Sequence, residues 1–424
     1  MGSPDIDPDA LAALRDEQVD WRDKGMPETA FGRTVGEVAA AGLDLFTDGF
    51  VGPLVVLDDD AVTHNLTTMA DWCARHGMSH MPHGKTTMAP QLYARQLALG
   101  AWGMTAATVS QLRVYRAFGV RRVQFANELV DPAGLRWLAG SLARDPDFEF
   151  CCWVDSVAGV EQMTAELRGV PRPVDVLVEL GAPGGRSGAR DVDAARQVGA
   201  AVAASPVLRL AGVAGYEGVL SGIDVITEYL GRMRALVVLL AADGRFADVP
   251  EVIVSAGGSA YFDVVARVLR QEWPAGLSVR PVLRAGAYVS HDDGFYRDIS
   301  PLGRTPRLTD APPLRPAFRA WAQVMSRPEP DLALLTLGKR DVSFDEGLPE
   351  PQVYRIASAT SVLHNCATRK VSDQHIYVTG EPLPVGVGDW IGFGLSHPCT
   401  VFDKWRLIPV VRDTQVVDLI RTYF

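Results

Sequence analysis

The sequence predicts an α/β protein in which a (β/α)8 TIM-like barrel precedes a C-terminal antiparallel β domain. From about residue 50 to 290, short apolar runs alternate with helical patterns, as in a parallel sheet. Eight such units over roughly 200–250 residues match the arithmetic of a closed barrel. After about residue 300 the runs become short and are bounded by Gly or Pro, which indicates antiparallel strands.

The elements divide the chain into three parts. Residues 1–50 form an N-terminal segment predicted to pack on the β domain, with the barrel as the alternative. Residues 51–295 form the barrel, in which the run at 52–59 precedes a covering helix at 61–77. The barrel strands are MSHMPHGK, AWGMTAAT, RRVQFANE, FEFCCWVD, VDVLVELG, LRLAGVAGYEG, EVIVSAGG and SVRPVLRAG. Residues 296–424 form the β domain, which begins in a Pro-rich link.

Composition excludes several classes of partner. The net charge of −10 argues against binding to nucleic acid or to an anionic membrane surface. No stretch approaches the roughly 20 apolar residues of a membrane span. The five cysteines include no Cys-x-x-Cys pair, which indicates a reducing compartment and a cytoplasmic location.

Lys85 is the first candidate for chemistry. It lies in MPHGKTTM, at the carboxyl end of the first predicted barrel strand, where barrel enzymes place their active sites. Partial desolvation there lowers the pKa of the amine and favours Schiff-base formation. The alternative is a surface lysine that caps the following helix.

Two glycine-rich segments at the opposite end of the strand series favour the functional interpretation. The seventh strand ends in Ser255-Ala-Gly257-Gly258-Ser259, and the eighth ends in an Arg-Ala-Gly286-Ala-Tyr288 segment. Barrels often bind phosphate through the loops after these two strands, because glycines allow backbone N–H groups to approach an anion. A lysine facing such loops is the arrangement that pyridoxal phosphate requires.

Arg186 and Tyr216 are further candidates at the predicted rim. Arg186, in GAPGGRSG, could pair with the phenolic oxygen of the cofactor, or could form an ion pair with Glu179 in a flexible loop. Tyr216, in GYEG, could orient the imine or the substrate, or could pack its ring on the barrel mouth.

His397 and Cys399 form a His-x-Cys pair in FGLSHPCTVFD. In a strand, residues two apart project from the same face, so the imidazole and the thiolate could bind one Zn²⁺ ion. Two ligands make a weak motif, and a buried cysteine beside an exposed histidine is the alternative. His83, His291 and His375 are interpreted as hydrogen-bonding histidines rather than as ligands.

The chain resembles the fold-type III pyridoxal-phosphate enzymes, which pair an alanine-racemase-like barrel with a metal-binding β domain. The resemblance rests on seven segments in order: LVVLDDDAVTHN, PHGKT, GRSG, GYEG, SAGGS, RAGAYV and HPC. Within these enzymes, the chain is similar to the D-serine dehydratase and D-threonine aldolase family. The resemblance implies that Lys85 is the Schiff-base lysine and the base for the Cα proton. It further implies that Arg186 contacts the phenolic oxygen and that Tyr216, with His83, lies near the cofactor.

The resemblance also implies that the SAGGS and RAGAY segments bind the phosphate and that His397 and Cys399 bind a divalent metal, with zinc expected. Dehydratases of the family carry Cys at the second ligand position, whereas aldolases typically carry Asp. One motif departs from the family, because KTHK is replaced here by Lys85-Thr86-Thr87-Met88.

The expected function is dehydration of a D-β-hydroxy amino acid such as D-serine to a 2-oxo acid and ammonia. Retro-aldol cleavage to glycine and an aldehyde, and racemisation, use the same scaffold and are alternatives. A non-catalytic pyridoxal-phosphate carrier and an unrelated barrel hydrolase are more distant ones. The expected partners are a small D-amino acid and a second copy of the chain in a homodimer.

Overall fold

The computed structural model describes residues 5–424, which form two compact units by their internal contacts. The first unit comprises Ala70–Lys85 and Gln96–Gly286, together with residues 5–7. The second comprises Pro8–Met69, Thr86–Arg95 and Ala287–Phe424. Residues 1–4 of the predicted N-terminal segment lie outside the described residues. None of the helices in the described chain has both the length and the apolar character needed to cross a bilayer.

A short series of elements precedes the barrel strands. They are α1 (Pro8–Ala13), α2 (Val35–Ala41), β1 (Leu54–Asp58) and α3 (Asp59–Arg75). Helix α2 begins with a capping box, in which Thr34 accepts from the Glu37 N–H and the Glu37 carboxylate accepts from the Thr34 N–H. Helix α3 corresponds to the helix predicted at 61–77, with ends that lie two residues earlier in the sequence.

The first unit contains the predicted barrel. Its parallel strands are β2 (Ser79–His80), β3 (Met104–Ala106), β4 (Arg122–Glu128), β5 (Glu149–Val154), β6 (Val174–Leu180), β7 (Leu208–Gly215), β8 (Val252–Ala256) and β9 (Val279–Leu283). They pair in the order β2-β9-β8-β7-β6-β5-β4-β3. A parallel bridge between His83 and Thr105 joins the two ends of this series and closes it. The α/β barrel prediction is confirmed.

Helices alternate with these strands. They are α4 (Pro90–Ala98), α5 (Val109–Ala117), α6 (Pro132–Arg144), α7 (Val157–Glu166), α8 (Val192–Ala204), α9 (Ile223–Ala242) and α10 (Phe262–Leu269). Side chains that follow the strands cap several of them: Thr108, Asp131, Ser156 and Asp191 each accept a backbone N–H of the first turn. Such residues satisfy donors that the helix itself leaves unpaired.

The second unit contains the β domain. Its further elements are α11 (Phe295–Ile299), β10 (Phe318–Glu329), β11 (Leu332–Leu335), β12 (Glu350–Ile356), β13 (Ala359–Val362), β14 (Cys366–Val371), β15 (Ile376–Gly380), β16 (Trp390–Gly394), α12 (Cys399–Phe402), β17 (Leu407–Arg412) and β18 (Gln415–Arg421). The main path of the sheet runs β13-β12-β16-β10-β1-β17-β18. All of its strand pairs are antiparallel except that of β1 with β17. The predicted β domain is thus present.

The predicted domain boundary at residue 51 differs from the structure. Strand β1 lies in the second sheet, between β10 and β17, and not in the barrel. Its four buried residues, LVVL, belong to a continuous apolar run. Such a run indicates a strand covered on both faces, but does not indicate which sheet contains it.

The N-terminal residues pack with the second sheet. Val19, Val38 and Leu45 share one buried apolar cluster with Leu54 of β1 and Leu419 of β18. The Leu45 N–H donates to the carbonyl of Thr414, and the Val416 N–H donates to that of Leu43. Apolar burial and backbone hydrogen bonds therefore attach this segment to the sheet.

A buried ion pair also joins the N-terminal segment to the last strand. Arg421 Nη1 lies 2.7 Å from Asp23 Oδ1, and the side chains are 8% and 3% exposed. Arg421 Nε lies 2.8 Å from Glu17 Oε2. Removal of one partner from such a pair leaves an uncompensated charge in a poorly solvated position.

We expect Asp23→Asn to lower the free energy of unfolding of the second unit by about 3 kcal/mol, the lower end of the cost of breaking a buried pair, because Glu17 still faces Arg421. Urea denaturation monitored by tryptophan fluorescence measures this. The matched control is Asp373→Asn, since Asp373 and its partner Arg340 are both 73% exposed. Equal stability of the two variants would contradict a structural role for the buried pair.

Candidate active site

Lys85 follows the point at which the barrel closes. It lies in a 3-10 turn, Gly84–Thr86, directly after β2 and the His83–Thr105 bridge. Its side chain is exposed, whereas its neighbours Gly84 and Thr86 are buried. The structure therefore presents the amine at the carboxyl end of the first barrel strand, where the sequence placed it.

His83 lies in a positively charged environment beside this lysine. Its Nδ1 atom is buried and has no hydrogen-bond partner. Burial lowers the pKa of the imidazole well below its usual value, and the positive charges of Lys85, Arg284 and Arg186 lower it further. His83 is consequently a neutral imidazole with one nitrogen unused.

Arg186 and Tyr216 are brought together. The Arg186 guanidinium carbon lies 5.0 Å from the centroid of the Tyr216 ring, within the range of a cation–π contact. Arg186 forms no ion pair with Glu179 within residues 5–424, so that alternative is wrong. The Tyr216 backbone N–H donates to the Tyr229 hydroxyl, which in turn donates to the carbonyl of Leu180.

The loop that carries Arg186 is tightly closed. The Gly181 N–H donates to the Ala189 carbonyl, and the Gly188 N–H donates to Asp155 Oδ2 at 3.1 Å. Gly188 has φ +96°, and a Cβ atom there would lie 2.4 Å from the backbone nitrogen of Gly181. Only glycine fits this position without displacing the loop.

Part of the predicted phosphate site is already hydrogen-bonded within the protein. The N–H groups of Gly257 and Gly258 donate to the two oxygens of the Glu217 carboxylate, at 2.9 and 2.7 Å. The Ser255 hydroxyl accepts from Arg284 and exchanges hydrogen bonds with Gln124. A phosphate therefore cannot use these three groups unless they exchange partners.

The remaining residues of the two glycine-rich segments lie as follows. Ser259 is half-buried, and its hydroxyl makes no hydrogen bond within the described chain. Gly286 is buried at the end of the first unit, after the last barrel strand. Tyr288 is buried in a 3-10 turn, Ala287–Val289, of the second unit. Ser259 is thus the hydroxyl of SAGGS that is open to a ligand.

In the second unit, His397 and Cys399 interact, but not as part of a strand. Strand β16 ends at Gly394, and Cys399 begins the short helix α12. The prediction that the two side chains share a strand face is therefore wrong, because a turn with His397 at φ +50° brings them together. The Asp292 carboxylate stabilises this turn by accepting the His397 backbone N–H at 3.0 Å.

Asp345 is a third polar group at this position. Its Oδ2 lies 2.5 Å from His397 Nδ1, and its Oδ1 accepts from the Thr400 hydroxyl. The hydrogen bond with Cys399, followed by the contacts with Asp345, raises the pKa of His397 to about 9 against the effect of burial. The Cys399 thiol lies 3.5 Å from the Thr86 hydroxyl and donates to it. His397 therefore interacts with both a thiol and a carboxylate.

The other two histidines of the sequence analysis lie elsewhere in the chain order, on segments of the second unit. His291 is buried, and burial lowers its pKa to about 4. His375 is half-buried in the turn between β14 and β15, where its carbonyl accepts the Ser372 N–H. The interpretation that neither is a ligand stays a prediction.

Sequence reasoning missed a group of three carboxylates at the rim of the barrel. Glu128 ends β4, Asp155 follows β5 and Glu179 lies near the end of β6. Burial, and then the neighbouring charge of Glu179, raises the pKa of Glu128 to about 8. An acidic residue at the end of each of three successive strands was the available signal, because parallel strands end at one edge.

Comparisons with known proteins agree with this architecture. Residues 57–266 match the alanine racemase N-terminal domain, and residues 317–411 match the putative serine dehydratase domain. The chain is 26% identical over 303 residues to a 3-hydroxy-D-aspartate aldolase of Paracoccus denitrificans. The aligned region covers 70% of this chain and 74% of that protein. It is 27% identical over 378 residues to a D-threonine aldolase of Arthrobacter, with 87% and 90% covered.

A dehydratase is also among the relatives. The chain is 27% identical over 245 residues to a D-threo-3-hydroxyaspartate dehydratase of Delftia, with 57% of this chain and 61% of that protein covered. Among solved structures, the D-threonine aldolase of Filomicrobium marinum superposes with a TM-score of 0.74 at 26% identity. That match covers 88% of this chain and 95% of the other.

We expect Glu128→Gln to reduce the pH dependence of stability. In the folded state Glu128 keeps its proton up to a pH of about 8, because its pKa is raised to that value. In the unfolded state the same carboxyl group releases its proton near the ordinary pKa of 4.5. Wild-type stability should consequently fall as the pH rises from 6 to about 8.5, and the fall should be smaller in the variant. Thermal unfolding in buffer with a chelator, which removes metal ions that could pair with the carboxylates, measures this.

The control variant is Glu161→Gln, which changes an exposed carboxylate and should show the same pH dependence of stability as the wild type. Parallel curves for Glu128→Gln and wild type would contradict the elevated pKa.

Proposed function

We propose that this chain, which belongs to the fold-type III pyridoxal-phosphate enzymes of the D-serine dehydratase and D-threonine aldolase family, is a lyase of a D-β-hydroxy amino acid. Within that class we propose dehydration, which yields a 2-oxo acid and ammonia. The observation that carries the proposal is the hydrogen bond from Cys399 to Thr86, the residue directly after Lys85. Within the second unit it joins one predicted metal ligand to the residue that follows Lys85 in the sequence.

The residues of the barrel fit pyridoxal phosphate. His83 presents a buried nitrogen with no partner, which the protein leaves to a bound molecule. Lys85 is exposed on a turn, and Ser259 offers a hydroxyl at the end of β8. The positive charges of Lys85, Arg186 and Arg284 act on the His83 imidazole, and these three side chains could interact with an anionic ligand. When bound, the cofactor supplies an electron sink for the negative charge that develops at Cα.

The residues of the second unit fit a divalent metal. Imidazole and thiolate are ligands that Zn²⁺ prefers, and Asp345 can orient the ring through Nδ1, as carboxylates do in zinc sites. The contacts of His397 with Cys399 and then with Asp345 raise the pKa of the imidazole, so a positive charge is favourable at this position. A metal there supplies Lewis acidity toward the β-oxygen of the substrate.

The roles of the chain's own residues follow from these placements. Lys85, once free, takes the Cα proton of the substrate, because its amine stands at the barrel rim. His83 stays neutral and so does not compete for that proton. Arg186, whose guanidinium lies against the Tyr216 ring, orients an anionic oxygen. Loss of the Cα proton and the β-hydroxyl removes water, and hydrolysis of the product then releases ammonia.

A second candidate reaction is retro-aldol cleavage, which the two aldolases among the relatives support. It breaks the Cα–Cβ bond and yields glycine and an aldehyde from the same class of substrate. Cys399 supports dehydration, because the resemblance implies Cys at this position in the dehydratases and Asp in the aldolases. Both reactions require Lys85 and the metal ligands.

We expect purified, cofactor-loaded protein to release ammonia and a 2-oxo acid from D-serine or D-threonine, and Lys85→Ala to abolish the reaction. Coupled assays for ammonia, 2-oxo acid, glycine and aldehyde distinguish the outcomes. Formation of glycine and aldehyde in equal amounts would show that the reaction is retro-aldol cleavage and not dehydration. Formation of the L-enantiomer alone would exclude a lyase.

We expect Cys399→Ala to lose both bound zinc and turnover, because it removes one of two direct ligands. The matched control is Cys366→Ala, since Cys366 lies on β14 and contributes to neither predicted site. Metal analysis and turnover are compared for both variants. Full activity of Cys399→Ala, or of chelated wild type, would remove the metal from the mechanism.

A further inference from the structure

The carboxylates of Glu128, Asp155 and Glu179 form a compact group in the first unit. One oxygen from each lies within 4.8 Å of the others. Their strands are neighbours in the barrel sheet, since β4 pairs with β5 and β5 pairs with β6, all in parallel. The group, which we call the rim triad, shares no residue with the His397–Cys399 pair.

A second observation points to a ligand of this triad. Glu179 is 3% exposed, and its Oε2 atom has no hydrogen-bond partner. A buried oxygen of Glu128, Oε1, is also without a partner. Burial of an unpaired carboxylate is unfavourable, so the arrangement favours either protonation or a compensating positive charge.

Side chains of the described residues supply only part of that charge. No ion pair within residues 5–424 includes Glu128, Asp155 or Glu179. Arg284 is the buried cation of the barrel, but its Nη atoms donate to Ser255 and to the carbonyl of Gly215. Arg284 also faces Glu217 more strongly than Glu179. One positive charge thus faces several carboxylates.

A single shared proton only partly compensates for the triad. It can pair Glu128 with Glu179, which agrees with the raised pKa of Glu128. Asp155 then still faces one ionised neighbour, while its Oδ2 accepts a backbone N–H from Gly188. Three carboxylate oxygens with this spacing are the ligands of a hard divalent cation.

We propose that the rim triad binds a hard divalent cation, for which Ca²⁺ is the probe. Oxygen ligands of Ca²⁺ lie about 2.3–2.6 Å from the ion, so three carboxylate oxygens within 4.8 Å of one another can all reach one such ion. The absence of nitrogen and sulfur donors in the triad disfavours Zn²⁺.

Binding would also order the loop that carries Arg186. Asp155 contributes one oxygen to the triad and accepts the Gly188 N–H with Oδ2. A cation that fixes this carboxylate fixes the end of the loop two residues after Arg186. The expected consequence is slower proteolysis of residues 181–190 in the presence of Ca²⁺.

The test uses holoprotein of the His397→Ala/Cys399→Ala variant, so that the predicted zinc ligands cannot contribute. Ca²⁺ is titrated by calorimetry, and Tb³⁺ luminescence excited through tryptophan gives a second measurement. We expect one ion per chain, with affinity at least tenfold weaker in Glu128→Gln/Glu179→Gln. Asp155→Asn, which keeps an acceptor for Gly188, should weaken binding in the same way if the double change fails to fold.

The control for nonspecific binding is Glu161→Gln, an exposed carboxylate on α7, which should leave the affinity unchanged. No Ca²⁺ or Tb³⁺ binding by the parent protein would overturn the proposal, and the triad would then hold only a proton. Binding that is unaffected by the triad variants would overturn it equally. These results do not depend on which reaction the enzyme catalyses, so their failure is distinct from failure of the proposed function.

Discussion

Closure of the parallel sheet between β2 and β3 is the constraint on which the candidate site depends. These strands are two and three residues long, so few ladder hydrogen bonds join them. The closing contacts come from residues just past β2. The Thr105 N–H donates to the Pro82 carbonyl at 2.9 Å. The Thr105 hydroxyl donates to the Met81 carbonyl at 2.6 Å. Because the seam fixes His83, it also fixes the turn in which Lys85 follows two residues later. The position of the amine is thus a property of barrel closure.

Inside the closed sheet, polar groups form a connected hydrogen-bond network. Gln124 and Ser255 bond to each other, Arg284 bonds to Ser255, and Glu217 accepts the amides of Gly257 and Gly258. A buried guanidinium is tolerated only when its donors are satisfied and a negative charge is near. Glu217 supplies that charge and at the same time fixes the loop after β8. Stability of the barrel and placement of the predicted phosphate loop therefore rest on the same network.

The periodic features of the sequence were sufficient for the fold, but contacts distant in sequence were not readable from it. Alternating strands and helices predicted the barrel, and strand order placed Lys85 at the rim. The run at 54–57 looked like any buried strand, so its membership of the second sheet was missed. The two-residue spacing of His397 and Cys399 correctly predicted that they interact, but it attributed the interaction to a shared strand face. In the structure a turn brings them together. The bonds of Glu217 depend on tertiary packing, for which no local pattern exists, whereas the grouping of Glu128 with Glu179 was signalled by acidic residues at the ends of successive strands.

The segment after Lys85 explains how this chain can depart from the family motif. Thr86 accepts from Cys399, Thr87 accepts the Ala89 N–H, and the Met88 thioether accepts from the Tyr93 hydroxyl. All three side chains are buried, and none of them titrates near neutral pH. Where the family motif places His and Lys, this chain therefore has packed side chains that neither take nor give a proton. Proton transfer at this turn consequently falls to Lys85, because the neighbouring His83 stays neutral.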